Sequence, residues 1–382
     1  MPPPPIEAQL GSVLAAQASP TVITHPILRK IARMVFSFIS ANRKQRGCCG
    51  YSAEANGSTM RKQAIAFSLI ALLLSLGVAT SDAPAQNPLG QGRPDAATQQ
   101  LQELLQGSPT APKRGVFYEI RTGANTVYLF GTIHVGRIDF YPMNSAVTRA
   151  VASSSRVYLE TDIGDPAALT SLASAEQYRD GTTLDKKLSP ALMRRVETTF
   201  GRYGMTKQEI NSKKPWALAN DLLMRKAAEL GYDPMFAPDI FLAGIAQLLD
   251  KRISGVESID EQLQVFNGMS EEGQRAYLED SISSFEDGRL EAMLVASVDA
   301  WASGDVATME AALQKEEDEE PVGLREVRRR LFDDRNARMA ERIESIARSG
   351  TPAFVAVGAG HLVGRDSVVA LLRKKGLSIR QL

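Results

Sequence analysis

His134 and His361 stand in matched local settings. Each follows a short apolar, β-branched run that stops at glycine and reaches the imidazole two residues later. The first is Gly131-Thr132-Ile133-His134 within Thr126–Arg137 (TVYLFGTIHVGR), the second Gly358-Ala359-Gly360-His361 within Ala353–Arg365 (AFVAVGAGHLVGR). The chain has 3 histidines, the remaining one being His25. A further apolar run, Arg156-Val157-Tyr158-Leu159, ends on Glu160 and Asp162. Two neutral imidazoles and a carboxylate suit a catalytic metal site, because three protein ligands leave a position for water, whose pKa the ion lowers. On that reading His134 and His361 are ligands, and Glu160 is either the third ligand or the base that takes a proton from the water. Gly131, Gly358 and Gly360 would permit unusual backbone conformations and leave room for substrate.

Each candidate also has a structural reading. One histidine in such a loop would be a hydrogen-bonded core residue; a matched pair shifts the balance toward function. Glu160 and Asp162 serve equally well as strand-end caps for a following helix. Arg335 falls at helical spacing between Leu331 and Met339, on the apolar stripe that Ile343 and Ile346 continue along a helix at Leu324–Arg348. A cation placed inward needs a partner. It would clamp a carbonyl oxygen or substrate carboxylate, or form an ion pair with Glu160, Asp162 or Glu257. Asn336, Trp301 and Asp305 read as core or capping residues.

The elements that must carry these groups follow from the pattern. Short apolar runs ended by glycine predict buried strands running into tight loops, and open α/β sheets collect ligands at strand ends. Val116–Arg121 and Thr126–Phe130, joined by Thr122-Gly123-Ala124-Asn125, predict a β-hairpin. A helix at Ser145–Ser154 then leads to the Arg156–Leu159 strand as a β-α-β unit, which places Glu160 at the same sheet edge as His134. Helical periodicity follows at Pro166–Ala175, Pro190–Tyr203, Pro215–Leu230 and Asp239–Leu249, with prolines at or near the starts. A short strand at Lys251–Val256 precedes helices at Glu261–Phe266, Ser270–Phe285 and Asp287–Ser303. After Leu324–Arg348 come the second Gly-x-x-His strand, a helix at Ser367–Lys374 and a strand at Leu377–Leu382. The class is α/β (α+β), a central mixed sheet with two Gly-x-x-His halves and a large helical insertion at about 165–350.

Composition narrows the function. A chain of 382 residues that is 44% hydrophobic, with 44 basic and 44 acidic residues, can bury a sizeable core and has no bias toward nucleic acid. Both cysteines, Cys48 and Cys49, precede the segment that reads as an export signal. That segment has a basic start at Arg61 and Lys62, an apolar stretch from Ala64 to Val78, and the small-x-small pattern Ala83-Pro84-Ala85. The stretch is shorter than the roughly 20 residues needed to span a bilayer, so no permanent transmembrane helix is expected, and no nearby cysteine suggests a lipid anchor. The simplest account starts translation at Met60, with residues 1–59 an extension, 60–85 the signal, 86–115 a linker and one domain from 116 to 382. The product would be periplasmic or secreted. Gly358-x-Gly360 with Gly364 misses the dinucleotide spacing by one residue, and no Gly-x-Ser-x-Gly elbow is present.

The motifs resemble those of the TraB/GumN family, which includes the animal TIKI metalloproteases. The matching residues are Leu129-Phe130-Gly131-Thr132-Ile133-His134, Tyr158-Leu159-Glu160-Thr161-Asp162, Gly255-Val256-Glu257-Ser258 with Glu261-Gln262, Trp301 with Gly304-Asp305, Arg335-Asn336, and Val357-Gly358-Ala359-Gly360-His361-Leu362. They run in family order from about Val116 to Leu382; Val256 and Ser258 stand where the family often has Leu and Thr. The resemblance implies a fold like that of erythromycin esterase and ChaN, a divalent metal such as manganese or cobalt with zinc also admissible, and hydrolysis of peptide bonds in a peptide or protein substrate. Its functional positions map onto His134, Glu160, His361 and Arg335. The rival expectations are a periplasmic protein that uses the same histidines to grasp haem or a small ligand, and a degenerate member that acts as a scaffold.

Overall fold

A computed structural model describes residues 103–162, 166–313 and 322–382. The expected extension, export signal and most of the linker lie outside the described residues, as does the acidic run at 314–321. Strands β1 (Phe117–Thr122) and β2 (Asn125–Thr132) form the predicted hairpin, turning at Gly123, whose φ of 59° favours glycine. Helix α1 (Ser145–Ser153), N-capped by the Asn144 side chain, leads to β3 (Arg156–Thr161). Helices α2 (Pro166–Ala175), α3 (Pro190–Gly201), α4 (Lys207–Ser212), α5 (Pro215–Glu229) and α6 (Pro238–Leu248) follow. Then come β4 (Arg252–Glu257), α7 (Ile259–Asn267), α8 (Glu271–Glu286), α9 (Arg289–Ser303), α10 (Val306–Leu313) and α11 (Val322–Arg328). The chain closes with α12 (Asp334–Arg348), β5 (Ala353–Gly358), α13 (Val368–Lys374) and β6 (Ser378–Gln381). The helical insertion is therefore interrupted by one strand of the sheet.

The six strands form a mixed sheet in the order β4-β3-β5-β2-β1-β6. β5 is parallel to both β2 and β3, and β3 is parallel to β4, so the C-terminal ends of these four strands share one edge. The central strand β5 is buried along Ala353–Val357, which is why it reads as an unbroken apolar run rather than an alternation. The outer strands β4 and β6 begin exposed. Helix α12 lies across β1, β2, β4 and β5, while α1 and α6 pack against β3, β4 and β5.

The helix expected at Leu324–Arg348 is not continuous. Between α11 and α12 a π-helical turn spans Arg329–Asp333. The wider turn changes the register of α12 relative to α11, as such insertions do at functional sites. Within α12, Arg335 and Asn336 are buried together with Met339 and Ile343, while Phe332, within the turn, packs its ring 5.4 Å from that of His361.

Trp301, near the end of α9, is 1% exposed and donates its indole N–H to the Gly131 carbonyl at 2.9 Å, while its own carbonyl accepts the Gly115 amide at 2.7 Å. It therefore pins the start of the first histidine loop to the helical part. Asp305 accepts from the Thr308 amide at 2.8 Å, a cap for α10. Both residues act as the sequence suggested. Trp301→Phe keeps most of the apolar volume but leaves the Gly131 carbonyl without its donor, and should cost about 1–3 kcal/mol. Urea unfolding of the variant beside the parent measures this; an unchanged midpoint would refute the role.

Candidate functional site

The strand ends bring His134, Glu160 and His361 together from residues far apart in the chain. β2 and β5 are adjacent and in register from Val127↔Ala353 to Thr132↔Gly358, so both histidine loops leave the same edge side by side. Each ring commits Nδ1 to an oxygen. His134 Nδ1 lies 2.7 Å from Asp239 Oδ2, on the first turn of α6, and His361 Nδ1 lies 2.7 Å from Asn336 Oδ1, on the first turn of α12. The Asn336 amide nitrogen donates to the Asp366 carbonyl at 3.0 Å, which fixes its oxygen as the acceptor. Nδ1 is thus the donor in both rings and Nε2 is the atom left for other chemistry, the arrangement typical of metal-ligating histidines.

The two rings differ in setting. His361 is 4% exposed; burial lowers its pKa to about 4, against the opposing charge of Glu160, so it is neutral near pH 7. Around His134 burial also works to lower the pKa, but 62% of its side chain remains open to solvent. Desolvation is nonetheless the largest single influence on the ring, and the hydrogen bond and charge of Asp239, with the charge of Glu160, together outweigh it and raise the pKa to about 9.

Glu160 is held at both oxygens. Oε2 accepts the Gly358 amide at 2.7 Å; Oε1 accepts Arg335 Nη2 at 2.5 Å and Gln262 Nε2 at 3.1 Å. Burial favours the neutral acid, but His134, His361, Arg335 and the Gly358 amide outweigh it and hold the pKa at about 2. Arg335 also donates to Glu257 Oε2, from Nε at 2.9 Å and Nη2 at 2.6 Å, and to the Leu331 carbonyl from Nη1 at 3.3 Å. Four of its five N–H groups, by this geometry, are engaged by the protein itself. The structure thus pairs it with Glu160 and Glu257, two of the three partners open to it from sequence.

The glycines act through space. A Cβ at Gly358 would sit 3.1 Å from Glu160 Oε2 and 3.5 Å from His361 Cδ2, so the bare Cα leaves the gap between carboxylate and imidazole open. At Gly131 a Cβ would meet Val116 at 2.6 Å and Ala359 at 2.9 Å. Gly131, Gly358 and Gly360 are absent from the positive-φ positions, so the expected unusual backbone conformation is not what selects glycine there.

In donor chemistry the pair of histidines fits a divalent metal: two oriented imidazoles, each with Nε2 uncommitted, beside a carboxylate held ionised. Glu160 already accepts three hydrogen bonds, leaving about one of its roughly four lone-pair sites. Among the described residues no group of three His, Cys, Asp or Glu side chains converges as a ready metal cluster. Sequence reasoning missed Asp239 and Gln262 as partners of the candidates and placed Asn336 in the core. Gln262 and Asn336 stood inside the motifs; nothing in the sequence links Asp239 to a histidine 105 residues away.

Known proteins are similar to this chain in sequence. A "Metalloprotease TIKI homolog" from Nematostella vectensis is 26% identical over 306 residues, covering 66% of this chain and 64% of the relative. "Metalloprotease TIKI1" from Homo sapiens is 26% identical over 308 residues, covering 66% and 59%. An "Uncharacterized protein" of Treponema pallidum is 26% identical over 278 residues, covering 69% and 82%. The chain thus spans about three fifths of the length of its TIKI relatives. No solved structure matches it. The TraB/PrgY/gumN family profile matches residues 116–381, from the first strand through the last, and the chain belongs to the TraB/PrgY/gumN family.

Proposed function

We propose that this chain is a metal-dependent peptidase in which His134 and His361 hold a divalent ion, manganese, cobalt or zinc, through Nε2. The observation that carries the reading is the pair of imidazoles on adjacent strand ends, each fixed at Nδ1 by an oxygen acceptor and both within reach of the Glu160 charge. The metalloprotease names of the TIKI relatives support it. When bound, the ion lowers the pKa of a water and polarises an amide carbonyl. Glu160 supplies the negative charge opposite the imidazoles, as third ligand or as acceptor of a hydrogen bond that orients the water. A carboxylate held at a pKa of about 2 is a weak proton acceptor, which favours these roles over that of base. Arg335 holds Glu160 in place; Asp239 and Asn336 set the ring orientations. The apolar stretch from Ala64 to Val78 supports export to the periplasm or the exterior. No described helix is long and apolar enough to cross a membrane.

Metal analysis of full-length protein without an affinity tag, with peptide turnover in added Mn²⁺, Co²⁺ or Zn²⁺, tests the assignment. His134→Ala and His361→Ala should each lose bound metal and lower turnover by at least about a hundredfold; equal metal content in all three proteins sinks the site. The pH dependence follows from the imidazoles. His134 carries a proton below about pH 9 that a metal must displace, whereas His361, at about 4, carries none near neutrality. Metal affinity should therefore rise about tenfold per pH unit between about pH 6 and about pH 8, with one proton released per ion. Titration calorimetry in buffers of different ionisation enthalpy reads this directly; a slope of two protons or none contradicts it. Glu257→Leu removes one of the two carboxylates from Arg335 and should destabilise the fold by about 3–5 kcal/mol; thermal unfolding with no loss would show that the triad is not structural.

A further inference from the structure

His134 differs from His361 in what holds its ring. His361 is 4% exposed and lies against Phe332, whereas 62% of the His134 side chain is open to solvent. Packing therefore does little to orient His134. The bond between Nδ1 and Asp239 Oδ2 carries that task, so the ring points where the first turn of α6 puts Asp239. The carboxylate is held at its other oxygen too, where Oδ1 accepts the Ile240 amide at 2.9 Å.

The loop that follows His134 is clasped to the segment that leads into α6. Gly136 donates its amide to the Asp233 carbonyl at 3.0 Å and accepts the Asp233 amide at 2.8 Å, an isolated antiparallel bridge. Further along the same loop the Tyr141 hydroxyl donates to the Phe236 carbonyl at 2.8 Å, and the Tyr141 ring packs 4.3 Å from that of Phe241 on α6. The two backbones meet at Gly136, where a Cβ would collide with the Phe236 oxygen and lie 2.7 Å from its carbonyl carbon. Gly136 is absent from the positive-φ positions, so it is space that demands glycine there. Any side chain would force one backbone to give way by about 1 Å to reach ordinary contact. Asp239 lies one turn beyond Phe236, and its 2.7 Å bond to His134 does not survive a shift of that size.

We infer that Gly136, with the Tyr141 hydroxyl, is a positioning residue that sets the orientation of His134 through Asp239. Both act on the ring by docking the segment that carries Asp239 against the first histidine loop. The consequence for a bound ion rests on the metal reading above: Nε2 of His134 is delivered to the site only while this clasp is closed.

The full-length chain labelled with ¹⁵N-histidine, studied metal-free by long-range ¹H–¹⁵N correlation, tests the clasp. Gly136→Ala should move the ring resonances of His134 in the direction that Asp239→Asn moves them, and leave those of His361 in place. Tyr141→Phe keeps the ring beside Phe241 and should give part of the same change; it decides the outcome if Gly136→Ala does not fold. Thr122→Val, which loses a 2.6 Å bond to the Ala347 carbonyl at the far end of the hairpin, should move neither histidine. His134 resonances unmoved in Gly136→Ala and Tyr141→Phe overturn the inference, as does an equal shift in Thr122→Val, which would mark general loosening. Calorimetric titration with Mn²⁺ reads the consequence. Gly136→Ala and Asp239→Asn should each weaken binding about tenfold, and the double variant no more than either alone, because both act through one bond. Losses that multiply overturn the route through Asp239. Shifted His134 resonances with no Mn²⁺ bound by the parent chain retain the clasp and remove the metal; Mn²⁺ binding indifferent to Gly136→Ala does the reverse.

Discussion

The buried ion triad of Glu160, Arg335 and Glu257 is the constraint on which the rest of the site depends. Their side chains are 11%, 9% and 0% exposed, so each charge has lost most of its hydration. Desolvation of a buried ion costs several kcal/mol and is offset only when hydrogen bonds saturate it. Here Arg335 meets that condition by spanning two strands from α12: Nη2 reaches both carboxylates and Nε returns to Glu257. Arg338 adds a second guanidinium 3.7 Å from Glu257 Oε1, so the two carboxylates meet two cations, and within the triad it is the Glu160 charge that raises the pKa of both imidazoles. The triad is thus the tie between sheet and helix that fixes the Glu160 carboxylate beside the imidazoles.

Sheet order makes this placement possible. His134 and His361 stand at opposite ends of the folded region, yet β2 and β5 are neighbours, and β3 flanks β5 on its other side. Parallel pairing sends all three chains out at the same edge, so each histidine needs only a short loop, and Glu160, still within β3, needs none. The Gly358 amide completes the arrangement by donating to Glu160, so the strand that carries one histidine also orients the carboxylate. Gly358 can do this because no Cβ fills the space between Glu160 and His361.

Much of this was legible in the sequence because it is local. The hairpin, β3, β4 and β5 are apolar runs closed by glycine or acidic residues, and most helices begin near proline or a capping side chain. The family was legible because its motifs keep their internal spacing. What escaped is what only three dimensions decide. The π-helical turn at Arg329–Asp333 has no periodicity signature, although the stripe of α12 itself already placed Arg335 inward with Met339 and Ile343. Asn336 looked like core because an amide on a buried stripe is usually satisfied by backbone; one end of it is, at the Asp366 carbonyl, and the other is spent on His361. Asp239 stands in the first turn of a proline-started helix, and nothing in the sequence marks it further. Its partner is set by how α6 packs on the sheet.

The two histidines, alike in sequence, are made unlike by these partners. An amide and deep burial keep His361 neutral, with its Nε2 lone pair available at any pH near neutrality. The Asp239 carboxylate, with the charge of Glu160, lets His134 carry a proton that balances Asp239. The metal-free site is therefore close to electrostatic balance: the proton on His134 stands where the charge of a cation would otherwise act. Exchange of that proton for a divalent ion would raise the local charge by one unit rather than two, beside a Glu160 carboxylate already fixed by three donors. A matched pair of motifs thus encodes a division of labour, with one rigid neutral imidazole and one exchangeable imidazole, and the division is written in Asn336 and Asp239 rather than in the histidines.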